Sequence, residues 1–211
     1  MAPNGNALLT RAQILEAAVD IIAESGLTAL TAANLIKHAG ISKGGLYHHF
    51  KQMDDVTLAA LEVMVDRFID MLDDATDESL EGFLARVESN LFDVQLQNRR
   101  LTRALYTFFE QVMFKPIYRH SISRLFTTVR ELRRRQIATA RKDLDEHEVD
   151  NLLCLLETFT FGLLMRHHVD EKEMMASERE HWAQFSAILL RSVPSVPVVV
   201  TTDLEPMVCH A

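Results

Sequence analysis

The residues that break helices are rare in this sequence and unevenly placed. No proline occurs between Pro3 and Pro116, and five of the seven glycines lie before Leu46. Long stretches without these residues favour helices over strands. Apolar residues within them recur at three- and four-residue spacing, and the hydrophobic fraction of 48% is enough to form a core. The sequence therefore predicts an all-α protein of about nine helices.

The predicted helices divide the chain into three parts. Three short helices, at 10–25, 32–38 and 42–50, make up an N-terminal head over residues 1–53, with Thr10 as the expected cap of the first. Six longer helices make up a second domain over residues 54–193. Residues 194–211 hold three of the five prolines and are predicted to be a flexible tail.

Charge is unevenly distributed along the chain. The formal net charge of −8 argues against general binding to polyanions, because phosphate contacts need cations. Residues 27–53, however, contain Lys37, Lys43 and Lys51 and no acidic residue. Local charge matters more than total charge for binding DNA, so this segment is the candidate nucleic-acid surface.

Cysteine usage and apolar patterning bear on the compartment. Cys154 and Cys209 lie far apart and have no CxxC partner, which predicts neither a disulfide framework nor a zinc site. We expect Cys154 to be a buried thiol and Cys209 to be an exposed thiol of the tail. The N-terminus lacks the apolar region of a signal peptide, and the longest apolar stretch contains Glu157 and is shorter than the ~20 residues of a membrane span. The protein is therefore predicted to be cytoplasmic, with no membrane partner.

Catalytic motifs are not found in the sequence. It contains no GxSxG, HExxH, P-loop or GxGxxG pattern, so we expect neither an enzyme nor a cofactor. No metal site is predicted at the pair His48 and His49, because adjacent helical residues point about 100° apart.

Two short helices joined by residues 39–42 match a helix-turn-helix. Gly40 suits the turn because the backbone there needs a positive φ, and Thr31 and Ser42 are the expected N-caps of the two helices. Ile41 and Leu46 are expected to anchor the second helix. Phe50 is expected to belong to the core. The residues predicted to meet DNA are Thr31, Ser42, Lys43, Gly44, Gly45, Tyr47, His48 and Lys51.

The longer string LTALTAANLIKHAGISKGGLYHHFKQMDDV resembles the DNA-binding domain of the TetR family, named for the tetracycline repressor. The resemblance is carried by Gly26, Thr31, Ala39-Gly40-Ile41-Ser42, Gly45-Leu46-Tyr47 and His49-Phe50-Lys51, and it covers residues 10–60. It departs from the family pattern at Ala32, Ala33, Ile36 and Met53, which affects the expected number of phosphate contacts.

The resemblance implies a homodimer that binds a pseudo-palindromic duplex operator and usually represses transcription. It places Lys43, Gly45, Tyr47 and His48 against DNA and Lys51 against its backbone. It also assigns ligand binding and dimerisation to residues 54–193, with a small-molecule effector that changes the separation of the two heads. Two alternatives stay open: a DNA-binding regulator without an effector, and a helical interaction module whose head binds DNA weakly.

Residues 99–142 are strongly basic, with twelve Lys and Arg against only Glu110 and Glu131. One interpretation is that they form ion pairs with the acidic flanks at 70–81 and 143–150. The alternative is attraction of an anionic ligand or a second nucleic-acid surface. Residues 133–135 are all Arg and point three ways around a helix, so they cannot all line one pocket.

Aromatic and Met residues are dense at 106–126 and suit either an apolar ligand pocket or an ordinary core. The predicted pocket includes a cation for an anionic ligand group and consists of Phe92, Tyr106, Phe109, Met113, Arg124 and Phe159.

Residues 149–168 carry apolar side chains on two sides of one predicted helix. A helix of this kind has to be buried on both sides: one side packs on the chain's own core and the other on a partner. The small Gly162 would allow helices to approach closely. The predicted dimer interface consists of Leu152, Leu155, Phe159, Gly162, Leu163, Trp182, Phe185 and Leu189. The alternative is that the second side packs inside the monomer.

Overall fold

The computed structural model describes residues 5–169 and 174–192, with side chains over 10–167 and 177–192. Within these ranges the chain forms nine α-helices and no strand, which confirms the predicted fold class. The helices are α1 Gly5–Ser25, α2 Ala32–Ala39, α3 Lys43–His49, α4 Met53–Asp70, α5 Leu80–Ser89, α6 Arg99–Phe114, α7 Arg119–Ala140, α8 Glu146–Val169 and α9 Met174–Ser192.

Several boundaries differ from those predicted. α1 begins at Gly5, so Thr10 lies inside the helix and does not cap it. The helix predicted over 78–97 ends as α-helix at Ser89 and continues as a π-helical segment, Asn90–Gln95. The predicted tail, 194–211, and Cys209 with it, lie outside the described residues.

The buried apolar side chains form two cores. The head core joins α1, α2, α3 and α4 to α6 and to the start of α7. The rear core joins α5, the π-helical segment, the end of α7, α8 and α9. The head core continues past residue 53, since Val56 and Leu61 on α4 and Phe108 on α6 are buried in it. The predicted division at residue 53 is therefore crossed by continuous packing.

Across the described ranges, no helix combines the length and the apolar character needed to span a lipid bilayer. α8 contains the longest apolar stretch of the sequence, and residues of that stretch, including Leu153 and Leu156, pack into the rear core.

Candidate functional site: a DNA interface and an internal cavity

The turn between α2 and α3 is fixed by interactions between neighbours in sequence. Gly40 has a φ of 64° and a ψ of 32°, the left-handed conformation that favours glycine. The Thr31 hydroxyl accepts a hydrogen bond of 3.3 Å from the Asn34 N–H, and the Ser42 hydroxyl accepts one of 3.0 Å from the Gly45 N–H. Both predicted N-caps are therefore confirmed, and both helices begin at defined residues.

α3 buries one side and exposes the other. Leu46 and Phe50 are buried in the head core, as predicted. Tyr47 is 43% exposed, and Lys43 and His48 are also exposed. A short helix with an exposed aromatic, a cation and a histidine on one side has the donors and acceptors needed to read a major groove.

The remaining predicted DNA contacts surround α3. Thr31, Ser42, Gly44 and Lys51 are exposed, and Gly45 is half-buried. A Cβ at Gly45 would lie 3.3 Å from the Ser42 hydroxyl, so a larger residue there would crowd the N-cap of α3. DNA contact by these residues stays a prediction.

The head also contains a cation that the sequence did not reveal. The exposed Arg11 on α1 places its guanidinium 5.2 Å from the centroid of the Phe50 ring, at the end of α3. Nothing in the sequence around residue 11 signals this position, because it depends on how α1 packs against α3. The rings of His48 and His49 meet edge to face at 5.2 Å, and among the described residues no group of His, Cys, Asp and Glu could hold a metal ion.

An internal cavity of about 100 Å³ lies between the head core and the rear core. Phe68, Leu105 and Leu125 of the head core form part of its wall, and Leu91 and Leu156 of the rear core form another part. α4, α6 and α7 meet α5 and α8 around this space. The full lining is Phe68, Leu72, Val87, Leu91, Gln95, Leu105, Tyr106, Phe109, Leu125, Phe126, Val129, Arg133, Leu156, Glu157, Thr160, Phe161 and Leu164.

Four aromatic rings form one end of the cavity. Tyr106, Phe109, Phe126 and Phe161 pack on each other with centroid separations between 5.0 and 6.3 Å. Phe126 and Phe161 also reach the surface. Burial raises the pKa of Tyr106, so its hydroxyl stays neutral at physiological pH.

Of the six predicted pocket residues, Tyr106 and Phe109 line the cavity, and their role in binding a ligand stays a prediction. The prediction of a lining position was wrong for Met113 and Arg124. Met113 is 72% exposed near the end of α6. Arg124 instead donates a hydrogen bond of 2.8 Å to Asp66 on the outside of α4.

The prediction was also wrong for the two other phenylalanines. Phe92 is completely buried in the rear core, and the Arg179 guanidinium lies 4.7 Å from its ring centroid. Phe159 stacks on Phe185 with a centroid distance of 4.0 Å, on the other side of α8. The prediction grouped these residues because aromatic side chains are dense in the sequence. In the structure the helices that carry them face different neighbours.

The polar groups of the cavity are ones that sequence analysis missed. Arg133 is buried, and its guanidinium donates a hydrogen bond of 2.8 Å to Gln136 Oε1. Gln136 Nε2 donates in turn to the carbonyls of Asp73 at 2.9 Å and Ala75 at 2.7 Å. Burial lowers the pKa of Arg133 to about 10, although the negative charge of Asp73 acts to raise it.

Glu157 is the acidic group of the cavity wall. Arg130 donates to it at 2.6 Å and to Asp150 at 3.1 Å. Burial raises the pKa of Glu157 above its ordinary value, and the charge of Arg130 acts in the opposite direction. The negative charge of Glu157 is therefore balanced by a neighbour on the protein.

The basic residues of 99–142 form ion pairs with one acidic flank, as one interpretation predicted. Arg130 and Arg134 both pair with Asp150, and Arg141 pairs with Asp143 at 2.8 Å. Arg133 differs, because only this member of the triplet 133–135 lines the cavity.

The predicted dimer residues fall into two groups. Leu152, Leu163, Trp182 and Leu189 are buried in the rear core of the same chain, so their assignment to a dimer surface was wrong. The other predicted residues retain exposure: Leu155 is 52% exposed, and Phe159, Gly162 and Phe185 are half-buried.

The exposed apolar face of α8 and α9 also includes Ile188, which is 54% exposed. The prediction of a buried thiol at Cys154 was wrong, because Cys154 is exposed on α8. Cys154 precedes the exposed Leu155 and follows Leu153, which packs into the rear core.

An exposed recognition helix on a small helical head, joined to a larger helical body with an internal cavity, defines the class of helix-turn-helix DNA-binding regulators. The profile described as bacterial regulatory proteins, tetR family, matches residues 14–60. The predicted resemblance is thus confirmed over residues 14–60, where the chain is similar to tetR-family regulatory proteins. The proteins similar to it are regulators and not enzymes.

Two curated relatives and one solved structure illustrate the similarity. The transcriptional regulator BetI of Cronobacter sakazakii is 27% identical over 157 residues, covering 69% of this chain and 76% of BetI. The repressor KstR2 of Mycobacterium tuberculosis is 35% identical over 86 residues, covering 37% of this chain and 43% of KstR2.

A transcriptional regulator from Saccharomonospora viridis, solved in complex with choline, matches with a TM-score of 0.70. Its sequence is 20% identical, and the match covers 84% of this chain and 95% of that protein. At this identity the likeness concerns the fold alone.

Proposed function

We propose that this chain is a dimeric transcriptional repressor that binds a pseudo-palindromic operator through α3 and releases it when a small molecule enters the cavity. The observation that carries the proposal is the position of the cavity between the head core and the rear core. A ligand there would touch both the part of the chain that bears α3 and the part proposed to form the dimer.

α4 supplies the connection between cavity and head. Its first residue, Met53, is separated from α3 by three residues, whereas Phe68, near its other end, and Leu72 beyond it line the cavity. A ligand that displaces this end of α4 would also displace α3. Release follows only if the ligand binds the DNA-free arrangement more tightly than the DNA-bound one.

The proposed dimer uses the exposed apolar face of α8 and α9. Leu155, Phe159, Phe185 and Ile188 are only partly covered by their own chain, and a second copy would cover them. A Cβ at Gly162 would meet nothing within 4 Å, so helices of a partner have room to approach. A two-fold axis through this face would present two identical heads to two half-sites. The proposed partner is chromosomal DNA, so the proposed site of repression is the cytoplasm.

The first experiment identifies the operator by letting the protein select the DNA sequence that it binds. The full chain would select duplexes from a random pool, and fluorescence anisotropy would measure their affinity. Enrichment of a two-fold symmetric sequence is expected. A pool without any enriched sequence would contradict operator binding and favour a helical interaction module.

The second stage adds ligand. Thermal shift with a panel of small acids, amines and neutral aromatics would identify a compound that binds, and this compound is expected to raise the dissociation constant for the operator. Val129→Phe, which fills the cavity wall at a partly buried position, should abolish ligand-induced release and retain DNA binding. A regulator whose DNA affinity no panel member changes would contradict control by an effector.

A further inference from the structure

The cavity contains one cation whose charge no carboxylate neutralises by direct contact. The side chain of Arg133 is 5% exposed, and among the described residues its one hydrogen-bond partner is the neutral Gln136. The carboxylate whose charge acts on it, Asp73, already accepts hydrogen bonds from Arg86 and from the Ala75 N–H. A buried charge without a direct counter-charge is costly unless a ligand supplies one.

Gln136 holds this guanidinium in place. It accepts from Arg133 through Oε1 and donates through Nε2 to two carbonyls of the segment between α4 and α5. The amide is therefore fully engaged, and one edge of the guanidinium is held. Among the described residues Arg133 donates one hydrogen bond, from Nη1 to Gln136, which leaves its Nε and Nη2 groups for a ligand. Two parallel N–H groups of this kind match the two oxygens of a carboxylate.

The other charged group of the cavity does not offset Arg133. Glu157 receives a hydrogen bond of 2.6 Å from Arg130, so its direct partner is Arg130 and Arg133 is left without a carboxylate in contact. Recognition of a cation by the aromatic cluster is disfavoured, because Arg133 brings a positive charge into the same cavity wall and would repel it.

The remaining lining is apolar, and the space is small. Leucine, valine and phenylalanine side chains from both cores make up most of the wall. The volume of about 100 Å³ is below the ~150 Å³ of an engineered cavity that holds benzene. A ligand wholly inside this space is therefore limited to a short chain, and a ring with a carboxylate would extend past Phe126 and Phe161, which reach the surface.

We propose that the cavity binds a compact apolar monocarboxylate, with its carboxylate accepting hydrogen bonds from Arg133 and its body packed between the two cores. This inference rests on the proposed function in taking the cavity as the ligand site. Arg133 takes the role that sequence analysis gave to Arg124.

The first test compares head groups on the wild-type dimer. Isothermal titration at pH 7 would measure benzoate, butyrate and hexanoate against their amides, their methyl esters and the matching amines. At least one acid should bind ten-fold or more tightly than its amide and its amine. Tighter binding of amides or amines would overturn the inference and leave the cavity as a ligand site. Failure of every acid to bind would overturn it as well.

The second test replaces the guanidinium. Arg133→Met keeps an apolar side chain of similar length and should weaken the binding of the acid by about ten- to a hundred-fold, with the methyl ester unaffected. Arg134→Met is the matched control, because it removes the adjacent charge, which pairs with Asp150 outside the cavity. Equal affinity of the acid for wild type and Arg133→Met would overturn the inference. If Arg133→Met does not fold, the affinities of the wild type for the acid and for its methyl ester decide whether the carboxylate is recognised.

Discussion

Arg67 on α4 donates a hydrogen bond of 3.1 Å to Glu16 on α1, across 51 positions of sequence. Arg100 on α6 pairs with Asp20, one turn further along α1. The first helix of the head is thereby joined to α4 and α6, two of the helices whose other residues line the cavity. Together with the apolar packing of the head core, these ion pairs connect the head to the cavity wall.

Replacing Glu16 by Gln should lower stability in a pH-dependent manner. The hydrogen bond from Arg67 lowers the pKa of Glu16 below its ordinary value of 4.5. The pair therefore stabilises the fold above that value and ceases to do so as the pH falls through the lowered pKa. Because both side chains are partly exposed, we expect a loss below about 1 kcal/mol at pH 7, or about 2–4 °C in Tm.

Thermal unfolding of wild type and Glu16→Gln between pH 7 and pH 3 would check this. The difference in Tm should shrink below pH 4.5 as the wild type loses the pair. Glu62→Gln removes an exposed carboxylate from α4, the helix that carries Arg67, and should show no such trend. A difference that stays constant with pH would contradict the role of the ion pair.

Changes on α3 should weaken operator binding without affecting the fold. Tyr47 and Lys43 are exposed, so alanine at either position removes a proposed DNA contact and no core packing. Each variant should lose about 1–3 kcal/mol of binding free energy, and Lys43→Ala should also reduce the salt dependence of binding. Fluorescence anisotropy at several salt concentrations measures both quantities.

Lys142→Ala is the control for this experiment, because it removes an exposed charge beyond the end of α7. It should bind the operator as the wild type does. Wild-type affinity in both α3 variants would refute the assignment of α3 as the recognition helix.

A charge on the exposed face of α8 should dissociate the dimer. Leu155 is 52% exposed in the monomer, so Leu155→Glu alters the proposed interface and leaves the rear core intact. Sedimentation should show a dimer for the wild type and a monomer for the variant, with loss of operator binding and retained helicity. Met113→Glu, at a position 72% exposed elsewhere, should remain dimeric. A wild-type monomer at micromolar concentration would rule out the proposed dimer.

The buried pair His167 and Glu178 should be a sensitive point of stability. The two side chains join α8 to α9 with an Nδ1–Oε2 distance of 3.3 Å, and Glu178 is fully buried. His167→Ala leaves that carboxylate without this partner and should cost about 3–5 kcal/mol. Replacing both residues by Leu should recover most of the loss, because the two buried polar groups are then removed together.

Chemical denaturation of the single and double variants measures this coupling. Glu180→Ala, at an exposed position of α9, should change stability by less than about 0.5 kcal/mol. A double variant no more stable than His167→Ala would argue against an unpartnered buried carboxyl group as the cause.

Local sequence was sufficient to predict the head. Gly40 needs a positive φ, and the caps by Thr31 and Ser42 each join residues three positions apart. Burial of Leu46 and exposure of Tyr47 also follow from one short helix whose direction the caps define. Each of these interactions joins residues only a few positions apart, so both partners can be recognised in a short stretch of sequence.

The cavity could not be predicted in the same way. Its wall combines α4, α5, α6, α7 and α8, so membership depends on which helix faces meet. Tyr106 lines it while Met113, seven positions later on the same helix, is in solvent. In the sequence Arg133, Arg134 and Arg135 are equivalent, and only the packing of α7 against the segment between α4 and α5 buries the first of them.

The sequence by itself thus determined the helical class, the helix-turn-helix and its caps, because hydrogen bonding and helical periodicity act over a few residues. Tertiary structure alone decided that Arg133 is the buried cation, that Leu152 and Trp182 belong to the rear core, and that Leu155 remains exposed. Burial is a property of surfaces brought together from distant parts of the chain, and the sequence records which residues are apolar without recording which surfaces meet.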